Sequence, residues 1–211
     1  NENIKGYNLP LGATNIMTTG KEYDNIYPVW DWTRIPGTTA IGNQDKTSLE
    51  GYQIGNNEFG GGVSDGVNGI IAYKGKYNEL QANKAYFFFD NMMFCIGSDI
   101  SYVQNDNVLT SVEQNLLNGE VIYNDGQEKQ LSSNSNMQLK QLKWVYHNNT
   151  GYIFRGTDNV TIQNMSQAGS WKDINATGES GLIDKNVFSV WINHGLNPEN
   201  ASYQYIVVPD K

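Results

Sequence analysis

Two histidines, His147 and His194, are the first residues to weigh for proton transfer, since imidazole titrates near neutral pH. Each directly follows an aromatic, strand-like run, where an isolated histidine is more often a structural hydrogen-bonder than a base or a ligand. No HExxH, cysteine pair, GxSxG or regular array of carboxylates occurs, so metalloprotease, zinc-site and serine-hydrolase chemistries lack their parts. Asp31, with Asp45 and Glu50 further on, offers the hard oxygens that calcium takes, but in no recognised spacing; a solvated acidic loop is the other reading. Phe59 to Gly66 holds four glycines in eight residues. A phosphate-binding loop would need a Lys-Ser or Lys-Thr pair and then a helix; neither follows, so close backbone packing or a bulge explains the glycines. Cys95, inside Phe94-Cys95-Ile96, reads as a buried, inert thiol.

Trp30 and Trp32 sit in Tyr27-Pro28-Val29-Trp30-Asp31-Trp32-Thr33-Arg34-Ile35-Pro36-Gly37-Thr38-Thr39, where two prolines and a Pro-Gly turn hold an irregular loop. Two readings stand: the indoles stack on sugar rings, or they plug the edge of the core.

The elements that must position these residues are strands. Lys84 to Ile100 holds two short apolar runs, Ala85 to Phe89 and Met92 to Ile96, separated by Asp90-Asn91, a pair that suits a hairpin turn. Both runs are apolar at nearly every position, which predicts strands lying between two layers. Ile4 to Leu11 and Ala13 to Thr19 read as opening strands, residues 40 to 58 as a polar loop, and Leu131 to Gln138 as a mobile Ser/Asn surface loop. Strand patterns recur every ten to fifteen residues from Val67 to Val208, with no convincing helix and no domain boundary. The expectation is one all-β domain over 1–211, an antiparallel β-sandwich.

Composition agrees, with 22 Gly, 13 Tyr and 7 Phe against only 5 Pro, a balance that favours turns and strands. The net charge of −8 sets the surface as a whole against nucleic acid and other polyanions. No apolar run reaches the length of a membrane span, so no membrane partner is expected. The chain opens with Asn1, without an initiator Met or signal peptide, and is expected to be an internal piece of something longer.

Several segments, in order, resemble the polysaccharide lyase family that includes chondroitin AC, hyaluronate and xanthan lyases, and most of all its chondroitin AC branch. They are Glu2 to Tyr7, Gly12-Ala13-Thr14, Tyr27 to Thr39, Phe59 to Gly66, Ala85 to Gly97 and Trp191 to Pro209. The resemblance implies the first part of a central β-supersandwich, galactose-mutarotase-like, which in the family follows an α/α toroid and precedes a C-terminal β domain. It implies β-elimination on uronic-acid-containing polysaccharides of chondroitin or hyaluronan type, in a secreted or periplasmic bacterial enzyme. There an Asn and other groups neutralise the uronate carboxylate while Tyr, His and Arg handle protons.

Those catalytic groups belong to the family's helical domain. His147 and His194 therefore do not inherit the role, and the fragment alone is expected to be inactive. Glu2 and Asn3 correspond to the cleft edge, and Trp30 and Trp32 to loops near the domain interface. Tyr52 is the nearest aromatic where a stacking Trp would be expected. Asp31 is retained from a calcium-holding pattern, but Thr33 and Gly42 stand where further acids would be, so no cofactor is expected. The implied partners are an acidic polysaccharide and the helical domain of the same chain. The rival reading is a non-catalytic carbohydrate-binding or structural β-sandwich module.

Overall fold

The computed structural model describes residues 3–42, 56–77 and 79–210, whose strands form two antiparallel sheets packed face to face. The small sheet has the order β1 (Thr39–Ile41), β6 (Asn107–Leu116), β13 (Ile183–Leu196), β12 (Val160–Gly169), β9 (Ser135–Leu139). The large sheet runs β2 (Phe59–Ser64), β3 (Gly69–Tyr77), β4 (Leu80–Phe89), β5 (Met92–Ser101), β14 (Ala201–Pro209), β11 (Thr150–Phe154), β10 (Trp144–His147), β7 (Ile122–Asn124), β8 (Glu128–Gln130). Helical structure among the described residues is limited to three 3-10 turns, Gly6–Asn8, Tyr27–Val29 and Trp171–Asp173.

The aromatic hairpin is β4–β5, closed by the Phe89–Met92 pair with Asp90 at φ 54°. Alternation along the strands sends Tyr86, Met93, Cys95, Tyr205 and Val207 inward, against Val160, Ile162, Phe188, Val190 and Ile192 of the small sheet. Cys95 is wholly buried, and burial pushes its thiol up to about 11, consistent with an inert group.

Three expectations are corrected. The opening strands expected at Ile4 to Leu11 and Ala13 to Thr19 do not form: the first holds the 3-10 turn Gly6–Asn8, Gly12 takes φ +92°, and the segment folds as loops. Leu131 to Gln138 is not simply a loop, because its end joins β9, an edge strand paired with β12 from Gln138–Thr161 to Ser135–Asn164. Its middle side chains face solvent, so the apolar alternation that marks a strand is missing. The hairpin strands are covered on one side only, and on the other Phe89, Met92 and Ile96 are exposed. Among the glycines of β2, Gly62 answers to close approach, since a Cβ there would lie 2.6 Å from the Ile70 carbonyl oxygen, whereas a Cβ on Gly60 or Gly61 would meet only ordinary contacts at 3.9 and 3.5 Å.

Candidate functional site

The loops over the small sheet enclose a second apolar cluster, made of Ile26, Val29, Trp30, Trp32, Ile35, Ile174 and Val187. Its construction is local. Pro28 suits the first turn of the 3-10 segment Tyr27–Val29, and this turn docks on the end of β12 because Gly169 has no side chain. A Cβ there would sit 2.0 Å from the Pro28 carbonyl oxygen. Trp30 donates its indole N–H to the Gln114 carbonyl at 2.9 Å, and Trp32 donates to the Tyr27 carbonyl at 3.1 Å. Their rings meet edge to face at 5.4 Å, and the Tyr27 ring lies 5.2 Å from that of Trp30.

Beside this cluster opens a pocket of about 210 Å³, with Tyr27, Trp30, Trp32 and Trp171 as aromatic walls and Asn3, Asn15 and Asn175 as amides. Trp30 and Trp32 are each only 6% exposed with their N–H groups directed at backbone carbonyls, so they form the floor. The accessible aromatic surface belongs to Tyr27, 38% exposed, and to half-buried Trp171. Trp171 begins a turn fixed by a capping box, in which Ser170 and Asp173 bond each other's backbone and side chains. Asn175 accepts from the Thr177 N–H and hydroxyl at 3.0 and 2.9 Å, which sets the angle of its amide. Aromatic faces flanked by neutral amides suit a sugar ring, which offers C–H faces to stack and hydroxyls to bond.

Asn3, Trp30 and Trp32 are thus brought to one pocket, whereas Glu2 and Tyr52 lie outside the described residues, as do Asp45 and Glu50. Asp31 turns the other way. Burial opposes its ionisation, but the Arg34 guanidinium and the Thr33 hydrogen bonds hold its carboxyl below the usual carboxylate range. With a guanidinium already on its carboxylate, Asp31 does not fit a calcium ligand.

His147 and His194 line no part of the pocket. His147 is wholly buried, accepts from the Asn118 N–H at 3.0 Å and packs 4.5 Å from the Phe188 ring. His194 bonds the Thr110 hydroxyl at 2.8 Å. Burial lowers both to about 4, so both are neutral at physiological pH.

Sequence reasoning overlooked Tyr27 and Trp171 as walls and three buried polar residues that hold the loops. The Ser-Trp-Lys-Asp capping pattern at 170–173 was the available signal for Trp171. Glu113 accepts from Tyr23 at 2.6 Å and Tyr152 at 2.8 Å, joining loop, small sheet and large sheet. Gln114 bonds the tryptophan loop. Lys84 points inward from β4 to the carbonyls of Gly37 and Leu11, and burial lowers its ammonium to about 7.

The profile of the polysaccharide lyase family 8 super-sandwich domain matches residues 1–211. The chain is 42% identical to the chondroitinase-AC of Pedobacter heparinus over 211 residues, which cover 99% of this chain and 30% of that protein. A solved chondroitinase AC lyase, studied as enzyme–oligosaccharide complexes, is similar with a TM-score of 0.82 at 40% identity, over 94% of this chain and 30% of that one. The xanthan lyase of Paenibacillus gives a TM-score of 0.86 at 27% identity, over 99% of this chain and 21% of that one. The chain therefore spans less than a third of the length of these relatives.

Proposed function

Because the chain belongs to polysaccharide lyase family 8 through its super-sandwich domain, we propose that it is the β-sheet part of a lyase acting on chondroitin- or hyaluronan-type polysaccharides by β-elimination. Its own share is a binding wall: Tyr27 and Trp171 stack on sugar rings while Asn3, Asn15 and Asn175 bond hydroxyls. The observation that carries this is the aromatic-and-amide pocket on a chain 42% identical to a chondroitinase.

Elimination needs a base for the proton beside the uronate carboxylate and positive charge to tolerate the resulting anion. The pocket walls hold one phenol, Tyr27, and no cationic side chain. We therefore assign proton transfer and carboxylate neutralisation to other parts of the longer protein, a helical domain among them. A polymer does not cross a membrane unaided, and on that ground we extend the proposal to a periplasmic or secreted location for that protein.

The test is an elimination assay with chondroitin and hyaluronan, following ultraviolet absorbance of the unsaturated product, on this chain and on the longer protein. Only the longer protein is expected to turn over. Product from the chain alone would overturn the division of labour.

A second reading, a structural layer for the longer protein, is favoured by the outer face of the large sheet. Ile70, Phe87, Phe94, Ile206, Ile153 and Trp144 are registered neighbours across six strands of that face. The two readings separate at Trp171→Ala. Loss of chondroitin oligosaccharide binding by nuclear magnetic resonance supports the wall, whereas no binding by the unsubstituted chain leaves the layer.

A further inference from the structure

Adjacent residues on a strand face opposite ways, and β6 uses this at Glu113 and Gln114. Glu113 turns into the sandwich toward Tyr152, whereas Gln114, 0% exposed, faces the covering loops. Both ends of the Gln114 amide are engaged. Its Oε1 accepts from the Asp31 N–H at 2.8 Å, and its Nε2 donates to the carbonyls of Asp31 at 3.0 Å and Arg34 at 2.9 Å. With the Trp30 indole on its backbone carbonyl, one residue makes four hydrogen bonds to the segment 30–34. The same turn is closed by Arg34 N–H to Asp31 C=O at 2.9 Å and by the Ser111 hydroxyl on the Arg34 carbonyl at 2.8 Å. The Arg34 guanidinium then lies 4.2 Å over the Trp191 ring. Only a planar amide of this length supplies donors and an acceptor together: Glu lacks the donors, Met lacks both, and Asn is one methylene short.

We propose that Gln114 is the positioning residue of the binding wall, its side-chain amide setting the Asp31–Arg34 backbone and thereby the placement of Trp32 in the pocket. The consequence for glycan rests on the proposed role of the pocket; the consequence for the turn does not.

The experiment compares Gln114→Glu, Gln114→Met and Gln114→Asn in this chain. The control is Gln163→Glu, a second buried glutamine of the small sheet, whose Oε1 accepts from Asn136 at 3.4 Å. The readouts are the hydrogen-exchange protection factor of the Arg34 amide, whose N–H closes the turn on the Asp31 carbonyl, the Trp32 indole resonance, and chemical-shift titration with an unsulfated chondroitin tetrasaccharide, each at several pH values. In Gln114→Glu the carboxylate still accepts from the Asp31 N–H but meets the two carbonyls without a donor, so Arg34 protection falls about ten-fold or more at neutral pH. It recovers as acid protonates the carboxyl, which then donates again. The titratable and charged groups near position 114 are Asp31 and Arg34 on the loop and Glu113 on its own strand, whose carboxyl burial raises to about 7, so it titrates in the same window and each variant is read against the unsubstituted chain at the same pH; on β13 its registered neighbour is neutral Ser189. Asp31, held low by Arg34, stays ionised through most of that window.

Gln114→Met loses protection at every pH, Gln114→Asn loses less of it, and the control keeps it. Tetrasaccharide affinity is expected to fall about five-fold in Gln114→Glu at neutral pH and to recover with acid. Wild-type protection of the Arg34 amide in Gln114→Glu, or equal effects of Glu and Met without acid recovery, would overturn the proposal. If charge unfolds the Glu variant, wild-type exchange in Gln114→Asn would overturn it instead. A tetrasaccharide that shifts nothing in the unsubstituted chain sinks the glycan reading, while exchange still decides the role of Gln114.

Discussion

The outer faces of the two sheets reach opposite states. On the small sheet, Val187 and Gln114 lie under residues 20–38, and Ile26, Ile35, Trp30 and Trp32 seal them from solvent. On the large sheet the six registered apolar residues from Ile70 to Trp144 are half-buried, with Phe89 40% and Ile96 38% exposed beside them. The large-sheet face carries the apolarity of strands buried between layers, whereas the small-sheet face mixes Val187 and Trp191 with Gln114, Ser111 and Ser189, and the described residues supply an outer layer only to the small sheet. The lesson is that such a pattern predicts a cover without saying which chain segment provides it. A large contiguous apolar face on a described surface marks an interaction site.

The comparison breaks most easily at Trp30. Trp30→Ala removes a buried indole, its bond to Gln114 and its contacts with Tyr27 and Trp32, and is expected to cost about 3–5 kcal/mol in urea unfolding. Trp144→Ala, on the uncovered face, is expected to cost about 1 kcal/mol. Equal losses would mean that the tryptophan loop is not part of the cooperative unit.

A smaller effect tests whether loop and sheets melt together. Glu113 bonds Tyr23 of the loop and Tyr152 of β11, and burial raises its carboxyl to about 7 against the hydrogen bonds it accepts. The folded state therefore holds this proton more tightly than the unfolded chain, whose value is 4.5. The stability it contributes is full below about 4.5 and is lost as pH rises through about 7. Glu113→Gln should remove that decline, on the order of 2–3 kcal/mol between the two pH values. Tryptophan fluorescence and far-ultraviolet circular dichroism should report the same midpoints. Glu22 works in the opposite sense: burial opposes its ionisation, but hydrogen bonds from Thr18 and Thr19 hold it at about 2, so its contribution fades in acid.

How much of this was readable beforehand follows from the same contrast. The β4–β5 hairpin was legible because aromatic runs and Asp90-Asn91 are local signals. Trp30 and Trp32 were legible as important, but whether they face sugar or core depends on Gln114, 84 residues from Trp30 in sequence, whose carbonyl takes the Trp30 indole N–H. Ile4 to Leu11 and Ala13 to Thr19 read as strands because alternation is a local signal that carries no information on a pairing partner; in the fold Gly12 and Gly37 take positive φ where the loops 9–14 and 34–38 meet, with Thr14 N–H on the Pro36 carbonyl at 2.8 Å. The end of the Ser/Asn tract hid an edge strand because polar side chains carry no alternation. Lys84, just before the apolar run that begins at Ala85, carried no local signal of a role, and only the fold shows its ammonium reaching two loop carbonyls.

The sharpest comparison uses one chemical change twice. Val187, 0% exposed, and Val208, half-buried and registered with Gly151, lie on the outer faces of the small and large sheets. Valine and threonine match in shape and in β propensity, so the substitution isolates the cost of placing a hydroxyl. Val187→Thr is expected to cost about 1–2 kcal/mol, because that hydroxyl enters an apolar cluster. Val208→Thr is expected to stay within about 0.5 kcal/mol, because on this face water can solvate it. In the longer protein proposed above, the same substitution decides between an exposed face and a covered one: if other residues pack on the large sheet, Val208→Thr there should approach the cost of Val187→Thr. An unchanged cost there would mean that the apolar row stays open to solvent, and the structural-layer reading would lose its only support.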